Sequence, residues 1–215
     1  MRQPTICERK RHGKTNFYCE LNGKQHGLGT DREAYIDDEQ WGKIMAVVSG
    51  PFRDFLEILR ETGCRPQEAR VVTAANLDRD NRRWYFADPP KKVRGKKQPR
   101  IVHLNDRAFE ICQRLAMKHP TGPLFVNEDG TGWQKNTLTA RCARLKTKLG
   151  FGFCVYGVRH AWCTDALKRG VDPLTVATLM GHKDATMIMK VYQKLGKCDD
   201  HLKAALRKAT ESPAA

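Results

Sequence analysis

Apolar residues recur at helical spacing through most of this chain and fail to do so in its first 34 residues. Asp37-Asp38-Glu39 supplies a capping signal, and Trp41, Ile44, Met45 and Val48 follow at three- and four-residue steps, predicting a first helix. Phe52, Phe55, Leu56 and Leu59 make a second stripe on a helix that stops near Thr62-Gly63, because glycine accepts the left-handed conformation a helix end requires. Cys64-Arg65-Pro66-Gln67-Glu68 then leads into a short new helix. Asn105 caps a helix bearing Ala108, Ile111, Cys112 and Leu115, Thr121-Gly122-Pro123 breaks the chain, and a basic helix with Leu138, Cys142, Leu145 and Leu149 follows. Further helices are expected from about Gly157 to Lys168, from Pro173 to Met180, from Asp184 to Leu195, and after Asp199-Asp200.

Period-two pattern is scarce. Trp84-Tyr85-Phe86 and Arg100-Ile101-Val102-His103-Leu104 read as paired strands around a very basic connection, Lys91-Lys92-Val93-Arg94-Gly95-Lys96-Lys97. Near the start, Thr15–Leu21 and Lys24–Leu28 flank the turn signal Asn22-Gly23 and read as a hairpin, set among Arg9, Lys10, Arg11 and Lys14. Its other reading is a solvated, partly disordered terminus, since it lacks the apolar residues to make a core. The expected organisation is a basic arm over residues 1–34 and a mainly helical α+β domain with a small antiparallel sheet over residues 35–215.

Charge narrows the partners. A formal net charge of +15 over 215 residues points to a polyanion, because Lys and Arg gain binding free energy by releasing counterions condensed on phosphates. An anionic membrane surface is set aside, as nothing reads as a signal peptide, a spanning helix or a long basic amphipathic anchor. The eight cysteines are scattered, with no Cys-x-x-Cys pair, and read as reduced, mostly buried thiols of a cytoplasmic, nucleoid-associated protein. No metal site is expected from their spacing.

Four segments carry the candidate chemistry: Thr62-Gly63-Cys64-Arg65-Pro66-Gln67-Glu68, Tyr156-Gly157-Val158-Arg159-His160, Leu179-Met180-Gly181-His182-Lys183-Asp184, and Val191-Tyr192. Each alone is weak, since an arginine past a glycine turn is usually a surface ion-pair partner and a tyrosine beside a valine is usually packed in a core. In this order and spacing, from Tyr35 to the end, they resemble the tyrosine recombinase (phage integrase) family, whose catalytic domain surrounds one scissile DNA phosphate with such residues.

The resemblance implies a site-specific recombinase on double-stranded DNA. Arg65 and Arg159 would fork N–H donors onto the non-bridging phosphate oxygens as charge grows in the transition state. Tyr192 would attack phosphorus and hold the DNA as a phosphotyrosine, so that religation requires neither ATP nor metal, and no cofactor is expected. His182 would donate a hydrogen bond to the phosphate and help orient the phenol. A hairpin lysine would protonate the leaving oxygen. Arg94 stands where the family usually has it, and Lys96 is favoured over Lys92. Lys91, Lys92, Arg94 and Lys97 would also grip DNA phosphates. Glu68 and His160 are read as residues of the fold, Glu68 pairing with a nearby arginine.

Three departures bear on the expectation. Tyr156 stands where the family most often has a histidine, and a phenol donates a hydrogen bond but supplies no cation. His182 and Tyr192 are one residue further apart than in familiar members. The separate helical core-binding domain that usually precedes the catalytic one is not found before Tyr35, so a minimal or truncated recombinase is expected. A homo-multimer, such as a tetramer on paired sites with the helix after Asp199 packing on a neighbouring subunit, completes the picture. The rival readings are an integrase-derived DNA-binding protein without catalysis and a DNA-relaxing type IB topoisomerase.

Overall fold

The computed structural model describes residues 5–11, 14–21, 24–30, 36–88 and 99–182, together with Thr186, Ile188, Met189, Lys203 and Leu206. The chain divides into two units, Met1–Tyr35 and Ile36–Ala215.

The first unit is a three-stranded antiparallel sheet of β1 (Thr5–Arg11), β2 (Lys14–Leu21) and β3 (Lys24–Thr30), in that order. The expected hairpin is present as β2 and β3, with Leu21 opposite Lys24 and a register shift at Phe17/Tyr18. The extra strand β1 was not anticipated. Four of its seven residues, Glu8, Arg9, Lys10 and Arg11, are charged, so it has no apolar alternation and is defined by backbone pairing with β2, from Thr5–Glu20 to Arg11–Lys14.

The second unit is mainly helical. Helix α1 (Asp38–Val47) starts where expected, with the Asp37 carboxylate accepting the Gln40 N–H at 2.7 Å. Helix α2 (Gly50–Thr62) is the central element: Phe52, Phe55, Leu56, Ile58 and Leu59 are all buried. Phe55 meets Phe125 edge-on at 6.0 Å and Trp133 at 6.0 Å, while Trp84 packs on Phe125 at 6.1 Å, so one aromatic cluster ties α2 to the sheet. Truncating a ring as enclosed as Phe55 costs about 3–5 kcal/mol. Helix α3 (Pro66–Val71) follows, then a 3-10 turn (Ala74–Asn76).

A second antiparallel sheet has the order β4 (Leu77–Asp78), β5 (Arg83–Phe86), β6 (Arg100–His103). The two apolar runs pair as expected, and the register sets Trp84 opposite Val102 and Tyr85 opposite Ile101; two-residue β4 is too short to carry a pattern. The basic connection, with Lys91, Lys92, Arg94, Lys96 and Lys97, lies outside the described residues.

Helix α4 (Asp106–Lys118) is capped by Asn105, whose side chain accepts the Ala108 N–H at 2.9 Å, and α5 (Lys135–Leu149) buries Leu138 and Cys142. Helix α6 (Val155–Lys168) begins two residues before the expected start. Its cap is Cys154, whose sulfur accepts the Gly157 N–H at 3.3 Å, and cysteine is not among the residues that advertise a cap. Helix α7 (Pro173–Met180) matches its expected bounds, with the Asp172 carboxylate accepting the Leu174 and Thr175 N–H groups.

A second apolar cluster of Cys163, Leu167, Val176, Ala177, Met180 and Ile188 seals α6 against α7 and holds the two ends of the candidate site together. Of the expected helices at Asp184–Leu195 and beyond Asp199, Thr186, Ile188, Met189, Lys203 and Leu206 are helical and the remaining positions lie outside the described residues. No helix among the described residues is long and apolar enough to cross a membrane.

Candidate active site

Three helix ends converge on one spot. The first is the end of α2, where Gly63 takes a left-handed conformation (φ 61°) and turns the chain toward Arg65. A side chain there would strike the Trp162 ring, since a Cβ would lie 2.4 Å from it, so only glycine allows both the turn and the packing. Arg65 then caps α3, with Pro66 as its first residue and the Glu68 carboxylate accepting the Arg65 backbone N–H at 2.8 Å.

The second is the N-terminal half of α6. Tyr156 lies in its first turn, and Arg159 one turn later points inward, only 1% exposed. The Arg159 guanidinium donates to the carbonyls of Gly63 (2.6 Å) and Met180 (3.0 Å), bridging the end of α2 to the end of α7. The third is that end of α7, where Gly181 (φ 67°) breaks the helix and presents His182. Arg159 Nη2 lies 2.9 Å from His182 Nε2. A guanidinium has no acceptor, so the imidazole nitrogen accepts and the ring is neutral in this arrangement.

Arg65 reaches the same turn from the other side. Its Nη2 donates a short bond to the Gly181 carbonyl, and its Nη1 pairs with Glu68 at 2.9 Å. Two guanidinium groups therefore face one another across a glycine turn. Burial and the like charge of Arg65 pull the Arg159 pKa down to about 10, leaving it cationic at neutral pH. No carboxylate among the described residues bonds Arg159 directly; its partners are two carbonyls and an imidazole.

Glu68 is deeply buried, which by itself would raise its pKa. The charge and hydrogen bonds of Arg100, with those of Arg65, more than offset that and hold it below its ordinary value. Glu68 is thus a carboxylate shared by two arginines. Pairing with a nearby arginine was expected; that one partner is Arg65 itself, and the other Arg100, was not. Arg100 went unnoticed although it has a legible signal: it stands two residues from buried Val102 on the same strand face, where an apolar residue is the usual occupant.

Beside Arg65 lies an open cleft of about 380 Å³, bordered by Arg70, Lys135, Leu138, Cys154 and Tyr156 among others. Arg70 is held there by the Trp133 carbonyl at 2.6 Å. Tyr156 is 47% exposed on the cleft wall, its ring 5.3 Å from that of His160. Of the sequence-predicted set, Arg65, Arg159 and His182 are in one hydrogen-bonded group and Tyr156 borders the adjoining cleft. Tyr192, Lys96, Lys91, Lys92, Arg94 and Lys97 lie outside the described residues.

The second unit has the fold of a tyrosine recombinase catalytic domain. The chain superimposes on the Tn1549 transposon integrase in complex with transposon right end DNA (TM-score 0.67, 18% identity, 83% of this chain and 67% of that one). It also superimposes on the XerA recombinase crystal structure (TM-score 0.62, 18% identity, 84% and 65%). The model of the phage integrase family matches residues 34–197, and the chain belongs to that family. Similar curated proteins include tyrosine recombinase XerA of Saccharolobus solfataricus (27% identical over 164 residues, 74% of this chain and 52% of that protein). Tyrosine recombinase XerC of Chlamydia trachomatis is 26% identical over 177 residues, 72% of this chain and 54% of that protein. The transposase of transposon Tn916 from Enterococcus faecalis is 23% identical over 234 residues, 87% of this chain and 58% of that protein. This chain spans about half the length of these relatives.

Proposed function

We propose that the chain supplies the catalytic centre of a site-specific recombinase or integrase that cleaves and rejoins duplex DNA through a covalent 3′-phosphotyrosine on Tyr192. The observation that carries this reading is the facing pair Arg65 and Arg159, the second buried without a directly bonded carboxylate. Removing a cation from water is costly, and a pair of like charges more so, unless an anion completes the group. A phosphodiester has that charge and that size. Each guanidinium has five N–H donors, and the bonds made to described residues use two on Arg65 and three on Arg159. The rest serve non-bridging oxygens, and because backbone carbonyls already hold both guanidinium groups in place, the rearrangement is confined to the Arg159–His182 contact.

In the proposed step the Tyr192 phenol gives its proton to the neutral His182 Nε2 as its oxygen forms a bond to phosphorus, the bond from phosphorus to the 5′ oxygen breaks, and Lys96, with Lys92 as the alternative, protonates the leaving oxygen. Arg159 turns its Nη2 N–H from the imidazole to the anion, which frees His182 Nε2 to take the phenol proton and then donate it in a hydrogen bond to the phosphate. Tyr156 adds a phenolic hydrogen bond, and Arg70 and Lys135 extend the positive cleft along the backbone, joined by Lys91, Lys92, Arg94 and Lys97. Residues 1–34 serve as a basic arm and residues 35–215 as the catalytic domain, working as a homo-multimer on paired sites.

The test is a nicked suicide duplex carrying a target site taken from sequence flanking the gene. Covalent trapping by the wild type that vanishes in Tyr192→Phe supports the reading. Tyr156, where the family usually has histidine, favours a second reading, a DNA-binding derivative that no longer cleaves; equal DNA binding by both proteins with no trapping would establish it.

A further inference from the structure

We infer that Arg100 is a positioning residue of this site, clamping the Gly181–His182 turn to the Arg65 segment so that both meet the phosphate in register. The inference rests on the strand-cleavage reading above and deepens it.

Arg100 opens β6, and its side chain is 10% exposed. Its guanidinium joins three segments that are distant in sequence. Nε donates to Glu68 Oε1 at 3.0 Å and Nη2 to Glu68 Oε2 at 3.4 Å, which reaches α3. Nη2 also donates to the Leu179 carbonyl at 3.0 Å, which reaches the last turn of α7, and Nη1 returns to the Ile101 carbonyl at 2.6 Å. The flat group lies against Gly181 so closely that a Cβ there would fall 2.6 Å from Arg100 Cζ. The glycine that exposes His182 thus rests directly on this guanidinium.

The link to catalysis runs through Glu68. The same carboxylate that accepts from Arg100 accepts from the Arg65 backbone N–H and from Arg65 Nη1. With Arg100 neutralising Glu68, Arg65 gives the carboxylate one side-chain bond and keeps donors for a phosphate. Without Arg100, the buried carboxylate would have Arg65 as its remaining cation among these contacts, drawing that guanidinium into a tighter pair and away from the DNA. Lysine cannot substitute: a tetrahedral ammonium offers no plane for Gly181 and does not fork onto a carboxylate while bonding a carbonyl. Direct contact of Arg100 with DNA is disfavoured by its burial and its four protein bonds.

The experiment compares the full chain with Arg100→Lys. Single-turnover trapping on the nicked duplex should slow by on the order of 100-fold, the effect of a misplaced catalytic group, while the Kd for intact duplex stays as in the wild type. A residue that merely supported the fold would instead weaken trapping and binding together with the melting temperature. Trapping at the wild-type rate overturns the inference. Gly181→Ala provides a second approach, because it presses on the guanidinium from the other side. Its effect should be smaller in the Arg100→Lys background, where the plane is gone, and strictly additive effects would also overturn the inference.

Hydrogen exchange separates this proposal from the parent reading. The amides of Gly181 and His182 are bonded to the carbonyls of Thr178 and Ala177 at 2.9 Å each. In Arg100→Lys they should exchange faster while those of α4 do not change. If the wild type traps no DNA, the strand-cleavage reading fails, and faster exchange still supports the clamp whereas unchanged exchange overturns it.

Discussion

Helices α2 and α6 meet around two arginines, one partly and one fully buried, and the two are treated in opposite ways. Arg60, near the end of α2, reaches Asp165 of α6 at 2.8 Å and Asp38 at 2.9 Å, with its Cζ 5.4 Å from the centre of the Trp41 ring. Arg159, on α6, reaches back to the Gly63 carbonyl just past the end of α2, and its other partners are a carbonyl and an imidazole. One charge is matched by carboxylates and an aromatic face. The other is held in place by neutral dipoles and set beside a second cation. A protein that needed Arg159 only to join two helices would do better with the first arrangement, or with an apolar side chain. The difference fits the proposed function, in which Arg60 belongs to the fold and Arg159 is held ready for a phosphate.

The largest effect should come from breaking the matched arginine. Arg60→Met removes the ion pairs to Asp165 and Asp38 and the contact with the Trp41 ring, and should destabilise the domain by about 3–5 kcal/mol, read from denaturant unfolding. Trapping per folded molecule should persist, and Arg60→Met with Asp165→Leu together should recover much of the loss. Arg159→Lys should do the reverse. Loss of a forked donor to the developing charge should slow covalent trapping by about 10²–10³-fold, with a small change in melting temperature, and a normal rate would erase the contrast.

Glu68 sharpens the comparison through pH. Its folded pKa lies below the ordinary value of 4.5, so the stability it contributes is fully present above that value and is lost as pH falls through the folded pKa. An acid-side decline in melting temperature should therefore be diminished in Glu68→Gln, which starts from a lower plateau at neutral pH. The smallest effect is a control far from the site: Asp37→Ala removes the α1 cap at a cost of about 1 kcal/mol and should leave trapping untouched.

What could be read in advance followed from local chemistry. The stripe Phe52, Phe55, Leu56, Leu59 and the stop at Gly63 are short-range signals, as are the Asp37 and Asn105 caps, and the helices they define stand where expected. Helix α6 started early because its cap is a thiol, and β1 was missed because charged residues mask a strand whose existence depends on its neighbour. The gathering of Arg65, Arg159 and His182 was legible through the order of their motifs. For Arg100 the strand face it shares with buried Val102 is a readable sign of a special role, but its partners Glu68 and Leu179 are 32 and 79 positions away and no local pattern records them.

Gly63 and Gly181 carry a consequence for how tolerant this sequence is to change. At each, the backbone has a positive φ and the space for a Cβ is already filled, by the Trp162 ring in one case and the Arg100 guanidinium in the other. A library randomised at every position and selected for recombination should return glycine alone at both. Such positions would score as invariant as the proposed nucleophile Tyr192 while having no side chain to offer a reaction, their whole contribution being room for another residue.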